Sequence, residues 1–325
     1  MKVGAERVIA VDVGGTGIKA ALCDADSPEL APVAELIRPT PVADGVPAVV
    51  EAIATLIDEL GADQDSSVGV GVILPGAVEA EGGVARYSAN IGWRDLPIRD
   101  LLAARTGRPV AIEHDVRAAG LAEAERGAAA DQTDALFVAI GTGIAAASIV
   151  AGRIVPGAGA LAGEIGHVPA FPDGIRCACG QRGCTEAYAS AAALARRYQQ
   201  ATGRAAPAEQ VIARAAAGDP AAITVYGQAV TALARTLLYC TMLTDPALIV
   251  LGGGLAQAGD TLLQPLRDQL AAGLTWRQPP PLAIARFGAR AGQVGAGLIG
   301  LRAARASRRA GSEATAAARE SQRPG

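Results

Sequence analysis

The chain is poor in lysine and in aromatic rings. Lys2 and Lys19 are its only lysines among 325 residues, and 3% of the residues are Phe, Trp or Tyr. With so few rings, the core must be packed from Ala, Val, Leu and Ile, and the 50% apolar content is enough to build one. A net charge of -3 with no basic cluster argues against a nucleic-acid partner. No apolar run reaches the roughly 18 residues of a membrane helix, which argues against a membrane partner. The opening MKVGAERVIAVDVGG runs almost directly into a strand and lacks the apolar stretch and cleavage site of a signal peptide. These absences point to the cytoplasm, where lasting disulfides are not expected. The five cysteines then need another role, and three of them crowd into residues 177–184.

Residues 7–13 (RVIAVDV) form a buried strand in sequence pattern, followed by a glycine turn and a second apolar run, IKAALC. Residues 46–60 carry apolar side chains at helical spacing. VGVGVIL (68–74) reads as a strand ended by Pro75-Gly76, and VAIE (110–113) as a short strand before a helix. At 135 the opening pattern returns as ALFVAI, GTG, IAAASIV. GTGI stands at 15–18 and again at 141–144, so the chain reads as an internal duplication. Residues 151–185 are irregular, and 186–240 are mostly helical with a Gly-Asp-Pro break at 218–220. ALIVLGGG (247–254) is a third strand with a glycine turn. A helix near 260–272, a strand near 282–287 and a helix near 293–305 follow. Residues 306–325 are polar without apolar periodicity and are expected to be disordered.

Strands alternating with helices in two halves imply an α/β protein of two lobes. Residues 1–116 plus 293–305 are expected to form the smaller lobe, with phosphate and sugar contacts. Residues 117–292 would form the larger lobe, with the cysteine loop and the nucleotide site. Ligands in such folds gather at the carboxyl ends of strands. The glycine turns and Asp115 lie there.

Five segments carry chemistry. In Asp12-x-Gly14-Gly15-Thr16-x-x-Lys19 the glycines let backbone N–H groups approach an anion. Thr16 adds a donor and Lys19 a charge. Asp12 suits Mg²⁺ or its waters. The spacing is not that of a Walker A loop. Gly141-Thr142-Gly143 is the counterpart in the second half, and the two turns are expected to clamp a polyphosphate from both sides. Gly252-Gly253-Gly254 is placed to pass close to a purine. In Glu113-His114-Asp115 the aspartate opens a helix, which fits an N-cap. Its position between the halves fits equally a carboxylate that accepts a hydroxyl proton during phosphoryl transfer.

The fifth segment is the most specific: Glu164-x-x-His167, then Cys177-x-Cys179-x4-Cys184-x-Glu186. Three thiols and an imidazole make a closed tetrahedron for a structural Zn²⁺. Gly180 and Gly183 stand where the loop must turn around an ion. Such an ion would fix the loop bearing Glu164 and Glu186, whose carboxylates suit a polyol. Asn90 offers a donor and an acceptor for sugar hydroxyls. Trp93 reads as packing, and Cys23 and Cys240 as buried thiols without chemistry.

These residues resemble the ROK family (repressors, open reading frames, kinases) of the actin-like ATPase superfamily. The resemblance spans roughly residues 6–305. It rests on DVGGTGIK from Asp12, EHDVRAAGLAE (113–123), GTGI (141–144), GEIGH (163–167) and CACGQRGCTE (177–186). It implies a two-lobed actin-like (ribonuclease H-like) ATPase fold with duplicated βββαβα-type halves. It also implies kinases for glucose, related hexoses and N-acetylhexosamines, using ATP and Mg²⁺, holding a structural zinc, and assembling as a homodimer or homotetramer. Carried over, Asp115 is the catalytic base, and Asn90, His114, Glu164, His167 and Glu186 are sugar contacts. Asp12, Gly14, Gly15, Thr16, Lys19, Gly141, Thr142, Gly143, Gly253 and Gly254 become nucleotide contacts.

Two positions depart from the family pattern. The family usually has Asn at the position of His114, and that Asn is expected to touch the sugar. The second glycine turn often continues with glycines, where this chain has Ala145, Ala146 and Ala147. The family's repressors carry an N-terminal helix-turn-helix, and only about six residues precede the first strand here. The leading expectation is ATP-dependent phosphorylation of a hexose, at its C6 hydroxyl. An N-acetylhexosamine or fructose kinase, a sugar-binding sensor without phosphoryl transfer, and use of polyphosphate in place of ATP remain as alternatives.

Overall fold

The structure, a computed structural model, describes residues 6–65 and 68–321, with side chains as far as residue 313. Its elements follow in chain order: β1 (Arg7–Val13), β2 (Gly17–Asp24), β3 (Pro32–Pro39), α1 (Val46–Gly61), β4 (Gly69–Leu74), β5 (Ala77–Glu79), β6 (Val84–Tyr87), β7 (Arg94–Leu96), α2 (Ile98–Thr106), β8 (Val110–His114) and α3 (Asp115–Arg126). Then come β9 (Ala135–Ile140), β10 (Ile144–Val150), β11 (Arg153–Ile154), α4 (Thr185–Ala189), α5 (Ala191–Thr202), α6 (Ala208–Ala216), α7 (Pro220–Thr244), β12 (Leu248–Gly252), α8 (Asp260–Gly273), β13 (Leu282–Ile284) and α9 (Ala291–Ser321).

The chain divides into two compact units, Met1–Ala122 with Gly292–Gly325, and Glu123–Ala291. The first division falls inside α3, between Ala122 and Glu123. The first unit has a five-stranded sheet in the order β3-β2-β1-β4-β8, and the second a sheet in the order β11-β10-β9-β12-β13. In each, an antiparallel meander is joined to two further strands running parallel to its first strand. The repeated GTGI therefore marks a repeated topology, and the two glycine turns occupy the same β1–β2 and β9–β10 connection.

The first core joins Ile9, Val11, Val70, Val72 and Leu74 of the sheet to Ile53, Leu56 and Ile57 of α1. Gly71 lets α9 approach β4 on the other face: a Cβ there would lie 1.8 Å from the Ala296 carbonyl oxygen. In the second unit the sheet packs on α5, α6, α7 and α8 through Val138, Leu194, Val211, Leu233 and Leu266. The Gly-Asp-Pro break is the start of α7. Asp219 accepts from the N–H groups of Ala221 and Ala222, and Pro220 needs no partner at the first helical position.

The segment expected to be a disordered tail is helical as far as Ser321, as a continuation of α9. The reason is cooperative. A helix already nucleated against the first sheet is extended cheaply by Ala, Arg and Glu, all good helix formers. Arg308 also pairs with Glu6 at 2.6 Å. Residues 322–325 of that expectation lie outside the described residues. β3 has no counterpart in the sequence reading because it is an edge strand with little buried surface, and Ile37 on it is 71% exposed.

Candidate active site

In the first unit the polar residues collect where parallel strands end. Asp12 of β1 lies beside Ile73 of β4, which lies beside Glu113 of β8. His114 closes β8 and Asp115 opens α3. Asp12 is also in register with Lys19 of β2. The register alone thus brings Asp12, Lys19 and Asp115 to one end of one sheet.

Asp115 sits in a recess. Dense protein surrounds its carboxyl, yet 43% of the side-chain surface stays open to solvent. Burial pushes its pKa above the usual aspartate value, against the opposing pull of the Val116 N–H and Arg117. Its Oδ1 accepts from the Val116 N–H at 2.7 Å and lies 3.1 Å from His114 Nε2. Asp12 is raised too, first by burial and then by the negative charge of Asp115, with Lys19 acting in the opposite direction. Two carboxylates in a recess, one raised by the charge of the other, form a place suited to a divalent cation with oxygen ligands.

The junction that presents these groups is rigidly built. Arg117 is 2% exposed and donates to the Val78 carbonyl at 2.5 Å and to Glu113 Oε1 at 2.8 Å. Glu113 Oε1 also takes the His114 backbone N–H at 2.7 Å. The turn of Gly14, Gly15 and Thr16 is closed by a Gly14 N–H bond to the Gly17 carbonyl and braced by Thr40, whose hydroxyl donates to the Gly14 carbonyl at 2.6 Å. Asn90 is exposed and packs beside Gly15. Trp93 is core, 1% exposed, and Cys23 is a buried thiol, as their sequence contexts indicate.

In the second unit, Gly141, Thr142 and Gly143 join β9 to β10. The turn is held from behind. Glu186 Oε2 accepts from the Ile144 N–H at 2.8 Å, and the Ala191 N–H donates to the Gly141 carbonyl at 2.8 Å. The loop bearing Glu164 and His167 is stitched to β10 by the Ala146 N–H on the Gly163 carbonyl. Gly253 has a positive φ of 84° and sits against Ile140, while Gly254 opens onto a cavity of about 370 Å³. Ala191, Ala208, Ile212, Leu255 and Thr261 help line that cavity. Its apolar walls and flat glycine edge suit a purine. The α6 alanines that form one wall carry no sequence signal, because alanine on a helix is indistinguishable from ordinary packing.

His167, Cys177, Cys179 and Cys184 converge, with their ligand atoms all within 4.8 Å of one another. Cys179 and Cys184 sulfurs are 3.7 Å apart, and a zinc tetrahedron with bonds of about 2.3 Å needs about 3.8 Å. Gly180 and Gly183 both have positive φ, 95° and 74°. Burial, then the neighbouring sulfurs of Cys179 and Cys177, pushes the Cys184 thiol up to about 12. A buried thiol that resists ionising beside two other sulfurs is what a cation among them would relieve, so the residues fit the metal. His167 turns Nδ1 toward Cys177 and Nε2 toward Glu164, 4.0 Å from each. One nitrogen can therefore bind metal while the other serves Glu164 or a ligand. Cys240 stands apart, with burial raising its thiol to about 11.

Among the described residues no helix is long and apolar enough to cross a membrane. The chain is similar to known sugar kinases over most of its length. It is 33% identical to a glucokinase of Thermotoga maritima over 81% of this chain and 87% of that one. It is also 33% identical to an N-acetylmannosamine kinase of Escherichia fergusonii, over 77% and 84%. A ROK family glucokinase from Streptomyces griseus, solved in complex with glucose and AMPPNP, superposes with a TM-score of 0.76 at 29% identity, covering 91% of this chain and 99% of that one. With residues 8–303 matching the family profile as well, the chain belongs to the ROK family.

Proposed function

We propose that the protein is an ATP-dependent hexose kinase of the glucokinase type, transferring the γ-phosphoryl group to the C6 hydroxyl of the sugar. The observation that carries this reading is the recessed carboxylate of Asp115 beside Asp12 and Lys19. The glucokinase relative supports the substrate class, and the AMPPNP-bound relative supports the nucleotide.

Asp115 accepts the hydroxyl proton as the sugar oxygen forms its bond to the γ-phosphorus. The bond from that phosphorus to the bridging oxygen breaks, and ADP leaves. Little covalent chemistry is asked of the protein, so positioning and charge neutralisation do most of the work. Lys19 and the N–H groups of the Gly14–Thr16 turn offset phosphate charge. Asp12 would hold Mg²⁺, which supplies further charge neutralisation when bound. Gly141, Thr142 and Gly143 are the further phosphate contacts of this reading, and the cavity at Gly254 takes the adenine. Asn90, His114, Glu164, His167 and Glu186 are the proposed sugar contacts. Structural zinc, a homodimer or homotetramer, and a cytoplasmic location complete the reading.

A second reading, an N-acetylhexosamine kinase, is supported by the N-acetylmannosamine kinase relative and by His114 at a position where a sugar-contacting Asn is expected. The experiment is ADP release with glucose, mannose, fructose, N-acetylglucosamine and N-acetylmannosamine. Glucose is expected to give the highest kcat/KM. A preference of tenfold or more for an N-acetylated sugar selects the second reading. No sugar-dependent ADP release with any of them defeats both, and leaves a sugar-binding sensor.

A further inference from the structure

We propose that a cavity of the second unit, between the cysteine loop, α5 and α7, binds the phosphate of a small phosphomonoester through Arg176, Arg196 and Arg197. The site is separate from the kinase machinery, because none of its residues is a sugar, nucleotide or metal contact of the reading above.

The cavity has a volume of about 470 Å³. Arg176 of the cysteine loop, Arg196, Arg197 and Gln200 of α5, and Thr224 and Gln228 of α7 help line it, and no Asp or Glu does. Three cations in one concavity repel one another unless negative charge lies between them. Other arginines of the chain find carboxylates, as Arg38 does with Glu59 and Arg105 with Glu51. Among the described residues, none of these three has a carboxylate within ion-pair reach.

Arg197 is the fixed member of the set. Its Nη1 donates to the Tyr188 and Val225 carbonyls, at 3.3 Å each, and its Nη2 to Gln228 Oε1. Its guanidinium lies 4.8 Å from the centre of the Tyr188 ring. That leaves its Nε–H and one Nη2 proton for a further acceptor. Burial pulls the Arg197 pKa below its ordinary value, with Tyr188 opposing and the like charge of Arg196 adding to the pull. An anion in the cavity would offset both.

The donor set selects the class of anion. A guanidinium fork matches the oxygens of a phosphate. A phosphomonoester carries about two negative charges and three terminal oxygens, one for each arginine, where a carboxylate brings one charge and two oxygens. The volume exceeds that of a bare phosphate and lies in the range of pockets for organic molecules, roughly 300–1,000 Å³. The rest of the lining suits a hydroxylated body. The Thr224 hydroxyl donates to the Pro220 carbonyl at 2.9 Å, so its oxygen can still accept. Gln228 uses its oxygen on Arg197 and keeps its N–H₂ as a donor. Arg176 directly precedes Cys177, so a bound ester would tie the cysteine loop to α5 and α7.

The test is calorimetry on the full chain in about 150 mM salt, where weak surface attraction is screened, with glucose and AMPPNP present to occupy the active site. Glycerol 3-phosphate and glucose 6-phosphate are the probes, and inorganic phosphate and sulfate at equal ionic strength are the controls. At least one ester should bind one-to-one with Kd below about 1 mM, and more tightly than either control. The Arg176→Ala/Arg196→Ala double variant should weaken that binding about tenfold or more. Its sugar-dependent ADP release without ester should stay within about twofold of wild type. Both side chains are exposed, so their removal spares the core, and Arg197, which holds two carbonyls, is left in place. No ester binding at about 10 mM, equal affinity in the double variant, or sulfate or phosphate binding as tightly as the esters overturns the proposal. A double variant that loses turnover would place these arginines in the kinase machinery and overturns the separate site. Absence of sugar-dependent ADP release in the wild type defeats the kinase reading instead, and leaves the comparison of ester binding between wild type and double variant intact.

Discussion

Glu186 Oε2 accepts a 2.8 Å hydrogen bond from the Ile144 backbone N–H, tying the start of α4 to the second glycine turn. The same oxygen lies 2.8 Å from where a Cβ on Gly143 would stand. Turn and carboxylate therefore fit only if position 143 has no side chain. Gly143→Ala must either push Glu186 off Ile144 or distort the turn. Losing a hydrogen bond to a charged group costs about 1.5–3 kcal/mol, so kcat/KM for ATP should fall by about tenfold or more. Steady-state kinetics with varied ATP checks this. A Gly143→Ala enzyme with wild-type ATP kinetics would show that the turn's shape is irrelevant to the nucleotide.

Asp115→Asn should lower kcat at least about 10²-fold, the low end for removing a general base, while sugar binding measured by calorimetry changes little. The sign of the pH effect follows from the carboxyl's environment. Burial raises its pKa above the ordinary 3.8, and a base must be ionised to act. Activity is therefore present above that raised pKa and lost as pH falls through it. The acidic limb of kcat against pH should lie above 3.8 and disappear in the residual rate of Asp115→Asn. A limb at or below the ordinary aspartate value would contradict the recess described for this group.

Much of the site was legible because its residues sit at strand ends flagged by glycine or by cysteine spacing. β1, β4 and β9 are apolar runs that stop at Asp12, Pro75 and Gly141, and a buried parallel strand is the easiest element to recognise. β3 and β5–β7 were not, because β3 is a largely exposed edge strand and β5, β6 and β7 are only three or four residues long. Thr40 was missed for a different reason. A threonine that braces a turn 26 residues away has no local pattern, and only the β1–β2–β3 register brings it there. Lys19, Asp12 and Asp115 were singled out one by one, but their shared location is a property of strand order. The residues beyond 305 carry no apolar stripe, so nothing local in the sequence marks them as helix. A helix that has already been nucleated does not need one.

Freshly purified, unchelated protein should contain about one zinc per chain. Cys184→Ser should lose most of that metal and melt at lower temperature, since Cys184 is fully buried within the ligand cluster. Cys240→Ser, which alters a thiol outside it, should retain the metal. Metal analysis and thermal melting of the three proteins give the answer. Protein with no zinc and an unchanged melting temperature after exhaustive chelation would remove the structural-metal assignment.

Glu123, at the end of the EHDVRAAGLAE segment, is a fully buried carboxylate whose role is structural. Its Oε2 accepts from the N–H groups of Ala128 at 2.8 Å and Arg286 at 3.0 Å, and its Oε1 from Phe287 at 2.9 Å. Three backbone donors from two distant stretches of the second unit thus converge on one side chain. Glu123→Ala leaves all three without an acceptor in a dry setting and should destabilise by about 4 kcal/mol. Glu123→Gln keeps one acceptor oxygen but turns an N–H₂ toward the remaining donors, and should cost about 2 kcal/mol. Proteins of two units unfold in more than one step, so the loss should appear in the transition of the unit that holds Glu123. Urea unfolding monitored by fluorescence separates the outcomes. An alanine variant as stable as wild type would mean that water reaches these N–H groups and that the convergence on Glu123 contributes nothing to the fold.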